Sequence, residues 1–274
     1  MHVKAMELLT PYRVRAAKLS ASADESRDMG SAYRPAREAD MLRRLKSRHK
    51  GVLPFESVAR IWREIIASLT QLQSPYGLFI CGGGDLMAFH DIGRFYYGAS
   101  ARIEVMDNAA AVVDAATADP HGLGLVPFPS DGIEPWWVHV MDRLDQGIAI
   151  IAALPFFRAQ GLENDNPSIL VLSHAPFEPS GDDTSLLVIE CAETLSDDEL
   201  LSILARQGIT SLILDRSPSP SVRIETDLRL IRLNGFVSKP DELRDTLQRQ
   251  APQQISNLTL LGGYANPIRE GLTS

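Results

Sequence analysis

The sequence predicts an α+β chain in three parts: a helical N-terminal segment, a central α/β segment with a largely parallel sheet, and a C-terminal βαββαβ segment. Three observations predict this. Apolar residues recur at helical spacing through residues 33–73. Short apolar runs alternate with helix-like runs from 77 to 172, as strands and crossover helices do. After the turn-rich PFEPSGDD at 176–183, strand and helix patterns follow in the order βαββαβ. Ser74-Pro75 and PFEPSGDD set the expected domain limits at 1–75, 76–182 and 183–274.

Residues 1–32 give the weakest pattern. Leu8, Leu9, Val14, Ala17 and Leu19 suggest a short helix, which Pro11 interrupts. Two helices are expected next. Pro35 suits a first helical position, where its missing N–H leaves no bond unmade. Arg37, Met41, Leu42 and Leu45 recur at helical spacing, and His49-Lys50-Gly51 closes the helix with cations and a glycine. Pro54 opens the second helix, with Phe55, Val58, Ile61, Trp62, Ile65, Ile66, Leu69 and Leu72 as a wide apolar stripe. Polar residues fall on these faces. Arg37 lies one turn from Met41, Glu38 one turn from Leu42, and Gln73 continues the row Trp62, Ile66, Leu69. A charge on a core-facing stripe is costly unless paired. Arg37 therefore either pairs with a carboxylate of a neighbouring helix or awaits an anionic ligand.

Strands are expected at 77–81, 102–106, 123–127, 148–154 and 169–172, with helices at 108–118 and 136–145 between them. Gly82-Gly83-Gly84 follows the first strand, without the third glycine that a dinucleotide fingerprint places further on. In the last segment, strands are expected at 185–191, 209–214, 228–236 and 258–261, and helices at 196–207 and 240–250. Ser196 followed by Glu199 is a capping box.

A net charge of −8 argues against bulk nucleic-acid binding, and no apolar run reaches the length of a membrane span. A basic cluster at Arg34, Arg43, Arg44, Lys46, Arg48, His49 and Lys50 reads as a solvated helix face, a nucleic-acid patch lacking aromatics, or an attractor for a dianionic substrate. Cys81 and Cys191 each end an apolar run, which suits buried reduced thiols rather than a disulfide or a metal site. No signal peptide is read at Met1, and together these point to the cytoplasm.

The stretch YRPARE, an apolar helix, Gly-Val-Leu-Pro, IWREII and a closing Gln resembles the all-helical chorismate mutases, over about forty residues. In particular it resembles the front domain of bifunctional chorismate mutase–prephenate dehydratases. The middle segment resembles a shortened dehydratase domain whose motifs have changed. Gly-Pro-x-Gly-Thr-Phe-Ser becomes GGGDLMA at 82–88, Val-Pro-x-Glu-Asn-Ser becomes VPFPSD at 126–131, and Thr-Arg-Phe becomes Pro167-Ser168-Ile169. The last segment resembles an ACT regulatory domain, with Gln207-Gly208-Ile209 and Arg216-Ser217-Pro218 in familiar places. Leu195-Ser196-Asp197 replaces the amino-acid-binding Gly-Ala-Leu, which implies a structural or dimerising role.

The resemblance implies an isomerase converting chorismate to prephenate, without dehydratase activity, as a homodimer and with no cofactor or metal. The alternative is a non-catalytic ligand-binding or regulatory protein on the same scaffold. The rearrangement is concerted and needs no nucleophile; the protein holds a dianion in its compact conformer and stabilises charge on the ether oxygen. By resemblance Arg37 meets a substrate carboxylate, Glu38 accepts from the substrate hydroxyl, and Gln73 donates to the ether oxygen. Arg34 joins Arg37 in substrate binding. The family's helix-one arginine falls at Tyr12, with Arg13 adjacent as its substitute, and its lysine falls near Ala23 or Asp24. One further arginine position would precede Met1.

Overall fold

A computed structural model of the chain describes residues 33–82, 85–130, 132–158, 168–219 and 226–269. Two helices come first, α1 (Pro35–Arg48) and α2 (Phe55–Gln73). Pro35 does open α1. The turn after α2 is tied by Gln71, whose side-chain amide accepts from Tyr76 N–H at 3.2 Å and donates to Tyr76 C=O at 3.1 Å.

A single nine-stranded sheet follows. Its strands are β1 (Gly77–Ile80), β2 (Arg102–Val105), β3 (Leu123–Pro127), β4 (Ala149–Leu154), β6 (Ile169–Ser173), β7 (Asp183–Ala192), β8 (Ser211–Pro218), β9 (Thr226–Asn234) and β10 (Ile255–Ala265). They run in the order β2-β1-β3-β6-β4-β10-β7-β9-β8. A small side sheet pairs β5 (Phe157–Arg158) with β11 (Ile268–Arg269). The remaining helices are α3 (Leu86–Tyr97), α4 (Ala109–Ala118), the short α5 (Trp137–Met141), α6 (Asp197–Arg206) and α7 (Pro240–Gln250).

The central sheet is mixed, not largely parallel as expected. β2, β1 and β3 are parallel, but β6 runs antiparallel to both β3 and β4. The apolar runs are the same in either case, because burial on both faces removes the alternation that marks an antiparallel strand. The expected helix at 136–145 is the five-residue helix α5 followed by a 3-10 turn at Leu144–Gln146. Helix α3 was not expected from the sequence. Asp85 caps it by accepting from Ala88 N–H at 3.0 Å, and Gly98 ends it with φ +93°.

The C-terminal part has the expected βαββαβ order, and the Ser196–Glu199 capping box is present. The expected boundary at 182/183 falls within one continuous sheet. β10 crosses it to pair with β4 through Gly262 and Ile150. Gly262 has φ +114°, and a Cβ there would stand 2.1 Å from the Ile150 carbonyl oxygen, so only glycine lets the two halves meet.

Alternate residues along each strand feed opposite faces. Ile169 and Val171 of β6 join Leu78, Ile80, Phe89, Leu125 and Leu42 on one face; Leu170 and Leu172 join Val112, Trp136, Trp137 and Leu186 on the other. α6 and α7 cover a third cluster built on Leu187, Ile189 and Ile231. Helices α1 to α3 belong to the first face, which places the mutase-like residues against β4 and β10.

Both cysteines are free and buried, as expected. Burial pushes the Cys81 thiol up to about 11 and the Cys191 thiol up to about 12. At pH 8 a thiol at 11 is ionised about one part in a thousand, against roughly a quarter for an ordinary one. Iodoacetamide should therefore label the native protein at least about a hundredfold more slowly than the protein in urea, as followed by mass spectrometry.

Candidate active site

The buried face of α1 is Ala36, Ala39 and Leu42. Glu38, one turn before Leu42, faces inward with its side chain 8% exposed. Arg37 does not: its side chain is 73% exposed, which corrects the expectation that it projects from the apolar side. The buried row runs through the two alanines, and the Arg37–Met41 row lies at its margin. The charge on the core-facing side is Glu38, and it is paired.

Its partner is Arg63 of α2, Nη1 to Oε1 at 2.7 Å. Arg63 lies between Ala59 and Ala67, the other two fully enclosed residues of α2. These small residues, not the large apolar ones, form the innermost row of the helix. Ile61 and Leu72 of the expected stripe are 55% and 82% exposed. Arg63 Nη2 also donates to the Tyr96 carbonyl at 2.9 Å, and its guanidinium sits 4.7 Å over the Tyr96 ring. Among the described residues its Nε–H has no partner. Beside the pair is a cavity of about 20 Å³ lined by Tyr33, Glu38, Arg63, Ala153, Leu154 and Phe156 among others. That is room for a single water.

Tyrosines surround the pair. Tyr33 and Tyr97 share a hydroxyl–hydroxyl bond of 3.0 Å, and Tyr76 donates its O–H to the Tyr97 carbonyl at 3.0 Å. The Tyr96 hydroxyl accepts from the Phe156 N–H at 2.7 Å and the Phe157 N–H at 3.3 Å. Burial, reinforced by the Glu38 charge, pushes Tyr33 up to about 12. Burial also raises the Glu38 carboxyl, with Arg63 pulling against it.

The other expected residues are dispersed. Arg34 Nη1 bonds Glu178 Oε1 at 2.5 Å, and Arg37 Nε lies 3.8 Å from Glu178 Oε2. Gln73 ends α2 on an exposed turn. It is ten residues past Arg63, roughly 15 Å along the helix axis. Arg13 lies outside the described residues. Of the basic cluster, Arg43 is not a free solvated cation. It donates to Ser180 Oγ and C=O at 2.9 and 3.1 Å, and to the Asp182 and Asn266 carbonyls at 2.9 Å each. Arg44 pairs with Asp40 one turn away.

So the structure brings Arg34 and Arg37 together on one carboxylate, encloses Glu38 with Arg63, and leaves Gln73 apart. Sequence reasoning missed Arg63 and Glu178. The Ala59–Arg63–Ala67 row carried a signal for the first, because an arginine between small residues at four-residue spacing marks a close helix contact. The sequence carried no signal for the second.

Among known proteins, residues 12–74 match the family described as chorismate mutase type II. A bifunctional chorismate mutase/prephenate dehydratase from Neisseria gonorrhoeae is 40% identical over 58 residues, which is 21% of this chain and 16% of that protein. The match thus spans less than a fifth of the curated relative. Among solved structures, prephenate dehydratase from Streptococcus mutans aligns over 70% of this chain and 99% of its own, at TM-score 0.48 and 15% identity. Prephenate dehydratase from Staphylococcus aureus aligns over 69% and 99%, at TM-score 0.46 and 10% identity. Residues 12–74 of this chain are a chorismate mutase type II domain.

Proposed function

We propose that this chain rearranges chorismate to prephenate. The family match of residues 12–74 carries the reading. The reaction is intramolecular, so the protein's task is to fix a dicarboxylate in its reactive conformer and to stabilise the separating charge. Arg34 and Arg37 are the proposed carboxylate-binding cations, Glu38 the acceptor of the substrate hydroxyl, Gln73 the donor to the ether oxygen, and Arg13 a further cation. Loss of chorismate absorbance with the purified full chain, followed by acid conversion of the product to phenylpyruvate, tests this. A rate indistinguishable from the uncatalysed one would reject it.

We further propose that the chain lacks dehydratase activity, on the changed residues at 82–88, 126–131 and Pro167-Ser168-Ile169. Phenylpyruvate should then form from prephenate only at the background rate near neutral pH. The division into units at 1–75, 76–182 and 183–274, the ACT-like character of the last and a cytoplasmic location belong to the same proposal. The two free, buried thiols support that location. Val52, Leu53, Ile61 and Leu72 are apolar and half or more exposed, which supports a homodimer covering the helical segment. Light scattering at micromolar concentration should give at least twice the chain mass.

A second reading is favoured by one observation. Glu38 is bound to Arg63 beside room for one water, while Arg37 and Gln73 stand outside that cavity. A non-catalytic ligand-binding protein on this scaffold would keep that arrangement unchanged. Binding of chorismate by calorimetry without turnover would select it.

A further inference from the structure

Arg34 and Arg37 belong to the segment that matches the mutase family, yet the carboxylate on them comes from elsewhere in the chain. Glu178 lies in the turn after β6, more than a hundred residues away. Its two oxygens face one arginine each, Oε1 at 2.5 Å from Arg34 Nη1 and Oε2 at 3.8 Å from Arg37 Nε. Glu178 is hydrogen-bonded to Arg34 and lies within ion-pair reach of Arg37, so one carboxylate sits between the two cations.

The turn is held there by anchors that do not involve Glu178. Phe177, on one side, packs against Phe236 with ring centroids 4.8 Å apart and the rings tilted by 48°. Ser180, on the other, is bonded by Arg43, and its N–H donates to both oxygens of Asp183 at 3.1 and 2.9 Å. Gly181 N–H also donates to Asp183, at 3.1 Å. The backbone of the turn therefore stays in place whether or not Glu178 is on the arginines. Only its side chain, 27% exposed, need rotate to free them.

We propose that Glu178 is an internal stand-in for a substrate carboxylate, occupying Arg34 and Arg37 until a dicarboxylate displaces it. This rests on the mutase reading above and deepens it: the resting protein competes with its own substrate. A part-exposed ion pair is weak enough to be displaced and strong enough to raise the substrate concentration needed.

The test is Glu178→Gln in the full chain, which keeps the side-chain shape and an acceptor for Arg34 but removes the charge. The KM for chorismate should fall about fivefold with kcat within about twofold, and the calorimetric Kd should fall in parallel. Glu178→Asp, which keeps the charge but withdraws it by one methylene, should give a smaller fall, and it stands in if the glutamine variant does not fold. Turnover in the wild type with KM and Kd unchanged or raised in both variants would overturn the stand-in and leave the mutase reading intact. A wild type that neither binds nor converts chorismate overturns both. Binding that tightens in Glu178→Gln, without turnover in any form, overturns the mutase reading and with it the stand-in for a substrate, leaving Glu178 as a competitor of a bound ligand only.

Discussion

Replacing Arg63 with methionine is expected to destabilise the protein by roughly 3–5 kcal/mol, the range for stranding one member of a buried ion pair. Both side chains are enclosed, Arg63 at 5% and Glu38 at 8% exposure, so solvent cannot take over the missing partner's part. Roughly 2–4 °C of thermal midpoint per kcal/mol makes this a fall of about 10 °C. The loss should depend on pH in a definite sense. Burial already raises the Glu38 carboxyl in the folded state, and Arg63 is the group that opposes it. Without Arg63 the folded-state pKa moves further above its unfolded value. The folded variant then binds more protons than the unfolded chain, and its stability falls as pH rises. Thermal midpoints at pH 5 and pH 8 should show the deficit largest at pH 8. Arg63→Met combined with Glu38→Leu should recover most of the loss, because two apolar side chains leave no charge uncompensated. A single variant as stable as the wild type at pH 8 would mean that the pair is not closed in solution.

The same pair marks where the sequence was legible and where it was not. Helix positions were, because their signals are local: Pro35 at the start of α1, the Ser196–Glu199 capping box, and the bounds of α7 at Pro240–Gln250. The βαββαβ order was legible for the same reason. Helix α3 was hidden behind Gly82-Gly83-Gly84, which suggests a loop, although Asp85 and Gly98 are the cap and stop that define it. The direction of β6 was not legible, since a strand buried on both faces shows no alternation. Helical periodicity placed Glu38 on the Leu42 side correctly and Arg37 wrongly, because both lie within one residue of the margin of a narrow buried row. The partners Arg63 and Glu178 are 25 and 141 residues from Glu38 and Arg37. Pairing over such separations is decided by how α1 sits on β4 and β10 and how α2 packs on α3, and no local pattern records it.

Arg37→Ala should separate chemistry from stability. With its side chain 73% exposed and its nearest carboxylate 3.8 Å away, Arg37 contributes little to folding, so the thermal midpoint should move by no more than a degree or two. If Arg37 holds a substrate carboxylate as proposed, its removal takes away a charge-assisted contact in the occupied site. That should cost about 3 kcal/mol of transition-state stabilisation, a loss of about a hundredfold or more in kcat/KM for chorismate. Arg37→Lys should recover part of the rate but not all, since an ammonium cannot reproduce the planar fork of the guanidinium. The contrast with Arg63→Met is then the decisive measurement. One variant should lose activity while keeping its midpoint, and the other should lose its midpoint first. Equal turnover by wild type and Arg37→Ala would remove Arg37 from the site, even if the chain proves to be a mutase, and would leave its contact with Glu178 as a surface ion pair.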